Sequence, residues 1–259
     1  SRKPLIRAFD IRSQIRRPLP QQVRVAALEL GIKESLIEIA PRLAPSIVTL
    51  EHPILRREWS EDSAPASPDT ITISFMGHAR RTKGFHVFVE LVDIATRADL
   101  AFEAIGQSSN ETDGIDQSRL ARRPSKVPLP RDEYLACLRA TDLICLPLHS
   151  RAYDFISSGT FADAVAALKP IIAIRNRSLD AIVAKYGPIG WLADRKEELL
   201  ALVRNFNRQD FLRLRAEWVT NLRKIRSARL PENLARTYPG LAPTPTQTPV
   251  ASTVRHGRQ

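Results

Sequence analysis

Two stretches of this chain combine residue types and spacings suited to gripping phosphate oxygens. In YDFISSGTFADAVAALKPIIAI, Tyr153 to Ile174, the polar run Ser157, Ser158, Gly159 and Thr160 leads into Phe161, Ala164, Val165 and Leu168 at helical spacing. A helix start leaves backbone N–H groups unpaired, and Gly159 brings them close to a ligand with no side chain in the way. Such donors suit an anion. Thr160 and Asp163 have the spacing of a capping box, with Asp where Glu or Gln is usual. Tyr153 and Asp154 lie on the loop before the helix. The second stretch, GHARRTKG from Gly77 to Gly84, holds Arg80, Arg81 and Lys83. Arginine offers a planar fork to phosphate oxygens and lysine a mobile point charge. It is neither a G-x-G-x-x-G fingerprint nor a P-loop, and three cations in a loop are also what a solvated face looks like.

The elements around these loops predict how the two would meet. Ile71 to Met76 reads as a strand ending at Gly77, and Phe85, Phe88, Val89 and Val92 repeat at helical spacing. Leu100 to Ile105 is a second strand ending at Gly106, which completes a parallel β-α-β unit. Gln107 to Ser125 reads as an irregular surface insertion. Pro130 opens a helix that runs on through Glu133 to Ala140, and Leu143 to Pro147 is a strand. The Ser157–Thr160 loop and its helix follow, stopped by Lys169 and Pro170, and then the strand Ile171 to Ile174. A helix seeded near Leu179, a short strand at Trp191 and Leu192, and helices over Arg195 to Phe206 and Phe211 to Ser227 complete the pattern. The expected fold class is α/β, a Rossmann-like parallel sheet flanked by helices, with both loops at the ligand edge of one sheet.

Upstream, residues 1–56 read as the remnant or end of a preceding α/β domain. They contain a helix-like run from Gln21 to Leu30, a break at Gly31, a helix over Ile32 to Ile39 and a strand over Ser46 to Leu50. The expected organisation continues with a linker at 57–70, a donor-type domain at 71–206, a helical segment at 207–238 and a disordered proline-rich tail at 239–259.

Composition narrows the partners. The 259 residues are 43% hydrophobic with no unbroken apolar span, the composition of a soluble globular chain. The two cysteines, Cys137 and Cys145, read as buried thiols in a reducing compartment. The net charge of +11 is concentrated at Arg2 to Arg24 and Arg204 to Arg229. It suits a phosphorylated small molecule or an acidic membrane surface. No zinc-finger spacing, RNP-like aromatic pair or helix-turn-helix pattern accompanies it, which argues against nucleic acid.

With these residues in view, FMGHARRTKGFHVFVEL, ATDLICLPL and YDFISSGTFADAVAALKPIIAI together resemble the C-terminal, nucleotide-sugar-binding domain of GT-B glycosyltransferases, family 4 in particular. The resemblance covers Ile71 to Glu198. It implies two Rossmann-like domains around a cleft, a nucleoside-diphosphate-sugar donor substrate, and no cofactor or metal. It further implies a saccharide or lipid-linked acceptor, a bacterial surface polysaccharide or glycolipid as product, and a cytoplasmic location at the inner face of the membrane.

By the same resemblance Gly77, Lys83 and Arg80 or Arg81 would hold phosphate, since His78 stands where the family commonly has Arg. Ser158, Gly159 and Thr160 would hold the diphosphate, Tyr153 would meet the sugar, and Asp163 would accept bonds from the ribose hydroxyls. Ala164 to Ile172 follows the family's A-x-A-x-G-x-P-V-I, with Leu168 in place of glycine. The family's first acid would fall at Phe155, and Tyr-x-x-x-x-Ser-Gly replaces that arrangement. The resemblance places the catalytic base in the N-terminal domain, most of which is absent, so no catalytic residue is assigned; His52 reads as structural. Two alternatives stand beside the transferase: a catalytically silent binding or assembly subunit, and a nucleotide-sugar epimerase, which would need His78 or His149 facing the donor sugar.

Overall fold

The computed structural model describes residues 24–55, 69–148 and 151–237. Most of the expected linker and all of the expected tail fall outside them.

Five strands form one all-parallel sheet: β3 (Ile71–Met76), β4 (Leu100–Ile105), β5 (Leu143–Leu146), β6 (Ile171–Ile174) and β7 (Gly190–Ala193). Their order is β4-β3-β5-β6-β7. The strands are near-continuous apolar runs because both faces are covered. Alternate residues feed two cores. Phe75, Cys145, Ile172 and Ile174 point to the side of helices α2 (Phe85–Ile94) and α6 (Lys196–Arg204), where Phe85, Phe88, Leu199 and Val203 pack. Met76, Ile144, Leu146 and Ala173 point the other way. There they meet α3 (Arg131–Ala140), α4 (Gly159–Ala166) and α5 (Arg177–Tyr186).

This strand order has one reversal, between β3 and β5. Chain connections leave those two strands in opposite directions, which opens a crevice beyond their carboxyl ends. The two loops singled out in the sequence, Gly77–Gly84 after β3 and the described residues 147–148 and 151–158 after β5, flank that crevice.

The N-terminal part is a smaller parallel pair, β1 (Val25–Leu28) and β2 (Ile47–Leu50), joined by α1 (Leu30–Ile39) and a 3₁₀ segment, Pro41–Ser46. The expected helix from Gln21 to Leu30 is thus corrected to a strand at Val25–Leu28, whose pairing with β2 overrides the helical preference of its two alanines. Gly31 is no break either. It lies inside α1, where a Cβ would come within 2.5 Å of the Ser178 nitrogen, so it permits close crossing of α1 and α5.

A long helix, α7 (Arg208–Ala228), and the short α8 (Pro231–Thr237) return from β7 and tie the two parts together. Arg226 donates to the Ala166 carbonyl of α4 at 3.0 Å. Just past α7, Arg229 forms a bidentate pair with Glu29 at 2.8 Å for both bonds, and the Ile54 N–H donates to its carbonyl. Glu29 holds φ 98 and ψ 147, a strained setting for a residue with a side chain. Two of the cations of this region, Arg226 and Arg229, are thus buried in internal contacts, whereas Arg204, Arg213, Arg223 and Lys224 remain exposed. Among the described residues no helix is long and apolar enough to cross a membrane.

The segment after β4 departs from expectation only at its end. Residues 107–120 are irregular as expected apart from a 3₁₀ turn at Asn110–Thr112, but 121–125 then passes alongside β4 in the same direction through isolated parallel bridges of Glu103 with Arg122 and of Gln107 with Ser125. The Ala121 N–H donates to the Phe102 carbonyl and the Ala104 N–H to the Arg122 carbonyl.

Candidate functional site

The site begins with how the loop after β3 is turned. Gly84 has φ +77, and a Cβ there would overlap the Pro147 carbonyl oxygen at the end of β5. Only glycine combines that conformation with that approach, so Gly84 presses the loop against the neighbouring strand end. Lys83 is carried inward as a result. A Cβ placed on Gly77 would lie 3.4 Å from Lys83 Nζ and 3.5 Å from Thr160 Oγ1, so cation, hydroxyl and the Gly77 backbone converge.

The second side is the start of α4. Ser158 is its N-cap, with its Oγ accepting from the Phe161 N–H at 3.2 Å. The expected capping box of Thr160 and Asp163 is therefore corrected: Thr160 Oγ1 donates to the Met76 carbonyl at 3.3 Å, fastening the helix start to the end of β3. Among the described residues the Gly159 and Thr160 N–H groups in the first turn have no hydrogen-bond partner. A Cβ on Gly159 would meet nothing within 4 Å, so no protein atom crowds that residue at the helix start.

Lys83, Tyr153 and Ser157 to Thr160 line one cavity of about 140 Å³ at the reversal point, floored by Phe75, Met76, Cys145 and Leu146. Among the described residues Lys83 has no hydrogen-bond or ion-pair partner for its ammonium. Burial, reinforced by the Arg80 guanidinium, holds that ammonium below the ordinary lysine range, with Asp163 pulling the other way. Tyr153 is 9% exposed, and its hydroxyl also has no partner among the described residues. Burial pushes the Tyr153 phenol above its usual range, so it stays a donor. A half-buried ammonium without a hydrogen-bond partner among the described residues, a hydroxyl and a helix start on one small cavity form a site complementary to a phosphate group.

Other sequence candidates lie further out. Arg80 and Arg81 are exposed and do not line the cavity; the Arg81 N–H donates to Glu111 at 2.9 Å. Asp163, on the second turn of α4, is held by Tyr134, whose hydroxyl donates to it at 2.7 Å, and by Arg131 at 3.5 Å. With four lone-pair positions, its carboxylate can still accept a further bond. His78 does not line the cavity, and His149 lies outside the described residues. The backbone N–H of His52 donates to Glu29 at 3.3 Å, and its ring Nδ1 lies 3.1 Å from the Pro53 carbonyl. Both cysteines are free and buried, and burial pushes both thiols up. Among the described residues no group of three His, Cys, Asp or Glu side chains could hold a metal ion.

The sequence reading missed Ile156 and Pro147 as cavity walls, and the Tyr134 and Arg131 braces on Asp163. The walls left a signal, being apolar residues on the loop after β5. The braces did not, since they join side chains about thirty residues apart.

No family model matches the sequence, and no curated protein is similar to it. Solved structures are similar in three dimensions. HepE of Anabaena in complex with UDP and glucose superimposes with a TM-score of 0.63 at 14% identity, over 84% of this chain and 63% of that one. WaaG, a glycosyltransferase involved in lipopolysaccharide biosynthesis, gives 0.60 at 14% identity over 82% and 60%. The C-terminal domain of the group 1 glycosyl transferase LpcC from Francisella tularensis gives 0.50 at 14% over 71% of this chain and 97% of that domain. The class defined by the fold is GT-B-like, with an α/β Rossmann-like domain. The chain spans less than two thirds of the length of HepE.

Proposed function

We propose that this chain binds a nucleoside-diphosphate sugar and takes part in moving its sugar to an acceptor hydroxyl, as part of a glycosyltransferase. The observation that carries the reading is the convergence of unpaired Lys83 with the open start of α4 on one cavity, at the single reversal of strand order. HepE, of similar fold, is solved with UDP and with UDP-glucose, which supports a nucleotide sugar as the ligand here.

When the bond between the sugar's anomeric carbon and the diphosphate oxygen breaks, negative charge builds on the departing diphosphate. Groups already aimed at it lower the barrier without reorganising. Lys83 and the Gly159 and Thr160 N–H groups fill that role, with no metal or cofactor in the scheme. Arg80 or Arg81 would meet the outer phosphate oxygens by swinging inward, and Asp163, steadied by Tyr134, would accept from the ribose. The acceptor is a saccharide or lipid-linked group bound elsewhere, in surface polysaccharide or glycolipid synthesis of the bacterial kind. The work would be done in the cytoplasm, with the exposed cations of α7 toward an acidic membrane face.

Calorimetry with UDP, GDP, dTDP, ADP and their glucose or mannose conjugates tests this. Binding of at least one diphosphate is expected, weakened at least tenfold in Lys83→Ala and several-fold in Asp163→Ala. No binding by the parent chain, or unchanged binding in Lys83→Ala, overturns the reading.

A binding-only role is the second reading. Among the described residues no Asp, Glu or His lines the cavity. A donor that binds but is neither hydrolysed nor transferred to any supplied saccharide would favour that role.

A further inference from the structure

A second cavity, of about 390 Å³, opens where the carboxyl ends of β1 and β2 face α5 and the junction of α7 with α8. It shares no lining residue with the phosphate cavity. Its size falls within the range of about 300–1,000 Å³ usual for small-molecule sites, and strand carboxyl ends are where parallel α/β sheets hold ligands. Glu29, Thr49 and Glu51 line it from the strand ends, and Lys185 from α5.

The charges in this lining are already matched. Glu29 forms its bidentate pair with Arg229, and Glu51 accepts from Lys185 Nζ at 2.7 Å and from the Tyr186 hydroxyl at 3.3 Å. An anion would meet two carboxylates, and a cation would have to displace an ammonium or a guanidinium. Hydrogen-bonding capacity is nonetheless left over. A carboxylate offers four lone-pair positions and an ammonium three protons, so Glu51 can accept further bonds and Lys185 can donate them. The Thr49 hydroxyl has no partner among the described residues. Between these groups stand aliphatic walls, Ile182 and Leu234 with Leu30, which is 46% exposed. A wholly apolar guest would strip water from the polar groups and return no bond, at a cost in affinity. A neutral guest that alternates hydroxyl groups with C–H faces satisfies both kinds of wall.

We propose that this cavity is a second binding site, for a neutral saccharide, separate from the diphosphate and independent of it. Glu51 accepts from the sugar's hydroxyls, Lys185 and Thr49 donate to its oxygens, and its C–H face lies on Ile182 and Leu234. Because the walls come from the N-terminal strand pair, α5 and α8, the bound saccharide also ties these elements together.

The test uses the full chain without nucleotide. Saturation-transfer NMR and calorimetry are run with glucose, galactose, mannose and the neutral disaccharides of each. At least one should bind and, by binding the folded state alone, raise the Tm. Glu51→Gln should weaken that binding about tenfold, since a neutral acceptor replaces a charged one. Ala181→Phe, which fills the space without altering a charge, should abolish it. Circular dichroism checks the fold of both variants. Glucuronate should bind more weakly than glucose, and Lys83→Ala should bind the saccharide as the parent chain does. Binding of no neutral sugar, full binding by folded Ala181→Phe, or tighter binding of glucuronate than of glucose overturns the assignment. Binding that disappears in Lys83→Ala would put the sugar in the phosphate cavity and overturn it too. The diphosphate titrations succeed or fail separately.

Discussion

The buried pair between Glu29 and Arg229 gives the sharpest energetic prediction. Arg229 is fully buried and Glu29 is 5% exposed at the side chain, and two bonds of 2.8 Å join them. The Arg229 Nε finds no acceptor, and the guanidinium lies 5.5 Å from the ring centre of Phe161 in the first turn of α4. Removing one partner strands the other charge out of water, so Arg229→Met and Glu29→Gln should each cost about 3–5 kcal/mol. For a domain of this size that is a fall in Tm of roughly 6–20 °C, at about 2–4 °C per kcal/mol. The double variant Glu29→Leu with Arg229→Met removes both charges and keeps apolar bulk. It should lie within about 2 kcal/mol of the parent chain, because well-packed apolar replacements of buried ion pairs are close to neutral. Urea unfolding followed by circular dichroism measures all four proteins, with constant slope confirming the same two states. Single variants losing less than about 1 kcal/mol, or a double variant as damaged as the sum of the two, would refute the view that this pair is a mutually dependent unit.

Three other outcomes are expected. Diphosphate affinity should fall as pH rises through the Lys83 pKa, which lies below the ordinary lysine value of 10.5, because only the protonated amine attracts the anion. Calorimetry across pH, and in buffers of differing ionisation heat, should reveal proton uptake on binding that is absent in Lys83→Ala. Gly159→Ala should leave stability unchanged or raise it by up to about 1 kcal/mol, since a Cβ there meets no protein atom, yet cut diphosphate affinity; equal affinity would mean the ligand does not approach that helix start. Leu168→Gly should relieve a left-handed residue at φ 55, worth about 1–2 kcal/mol, but empty a fully buried position worth about 2–5 kcal/mol. A net loss is expected in urea unfolding, and a gain would mean backbone strain outweighs packing here.

Local patterns revealed the larger sheet well. The spacing of Phe85, Phe88 and Val92, and the apolar runs ending at Gly77 and Gly106, predicted β3, α2 and β4 at their observed places. The loop Ser157 to Thr160 was legible as a helix start because its polar residues interrupt apolar runs on both sides. What stayed hidden depends on partners distant in the chain. Strand β1 holds two alanines in four residues and is a strand only because β2 pairs with it. The pairing of residues 121–125 alongside β4 is made of isolated bridges, which leave no period to read. Nor did any local pattern indicate that Lys83 turns inward while Arg80 and Arg81 stay out, since Gly84 meeting Pro147 decides it.

Two hundred residues of chain separate Glu29 from its guanidinium partner. During synthesis the acid emerges long before the base, so the first two strands cannot be sealed in place until nearly the whole larger sheet has been made. The carboxylate thus finds its partner only once α7 has been made, beyond every strand of the larger sheet.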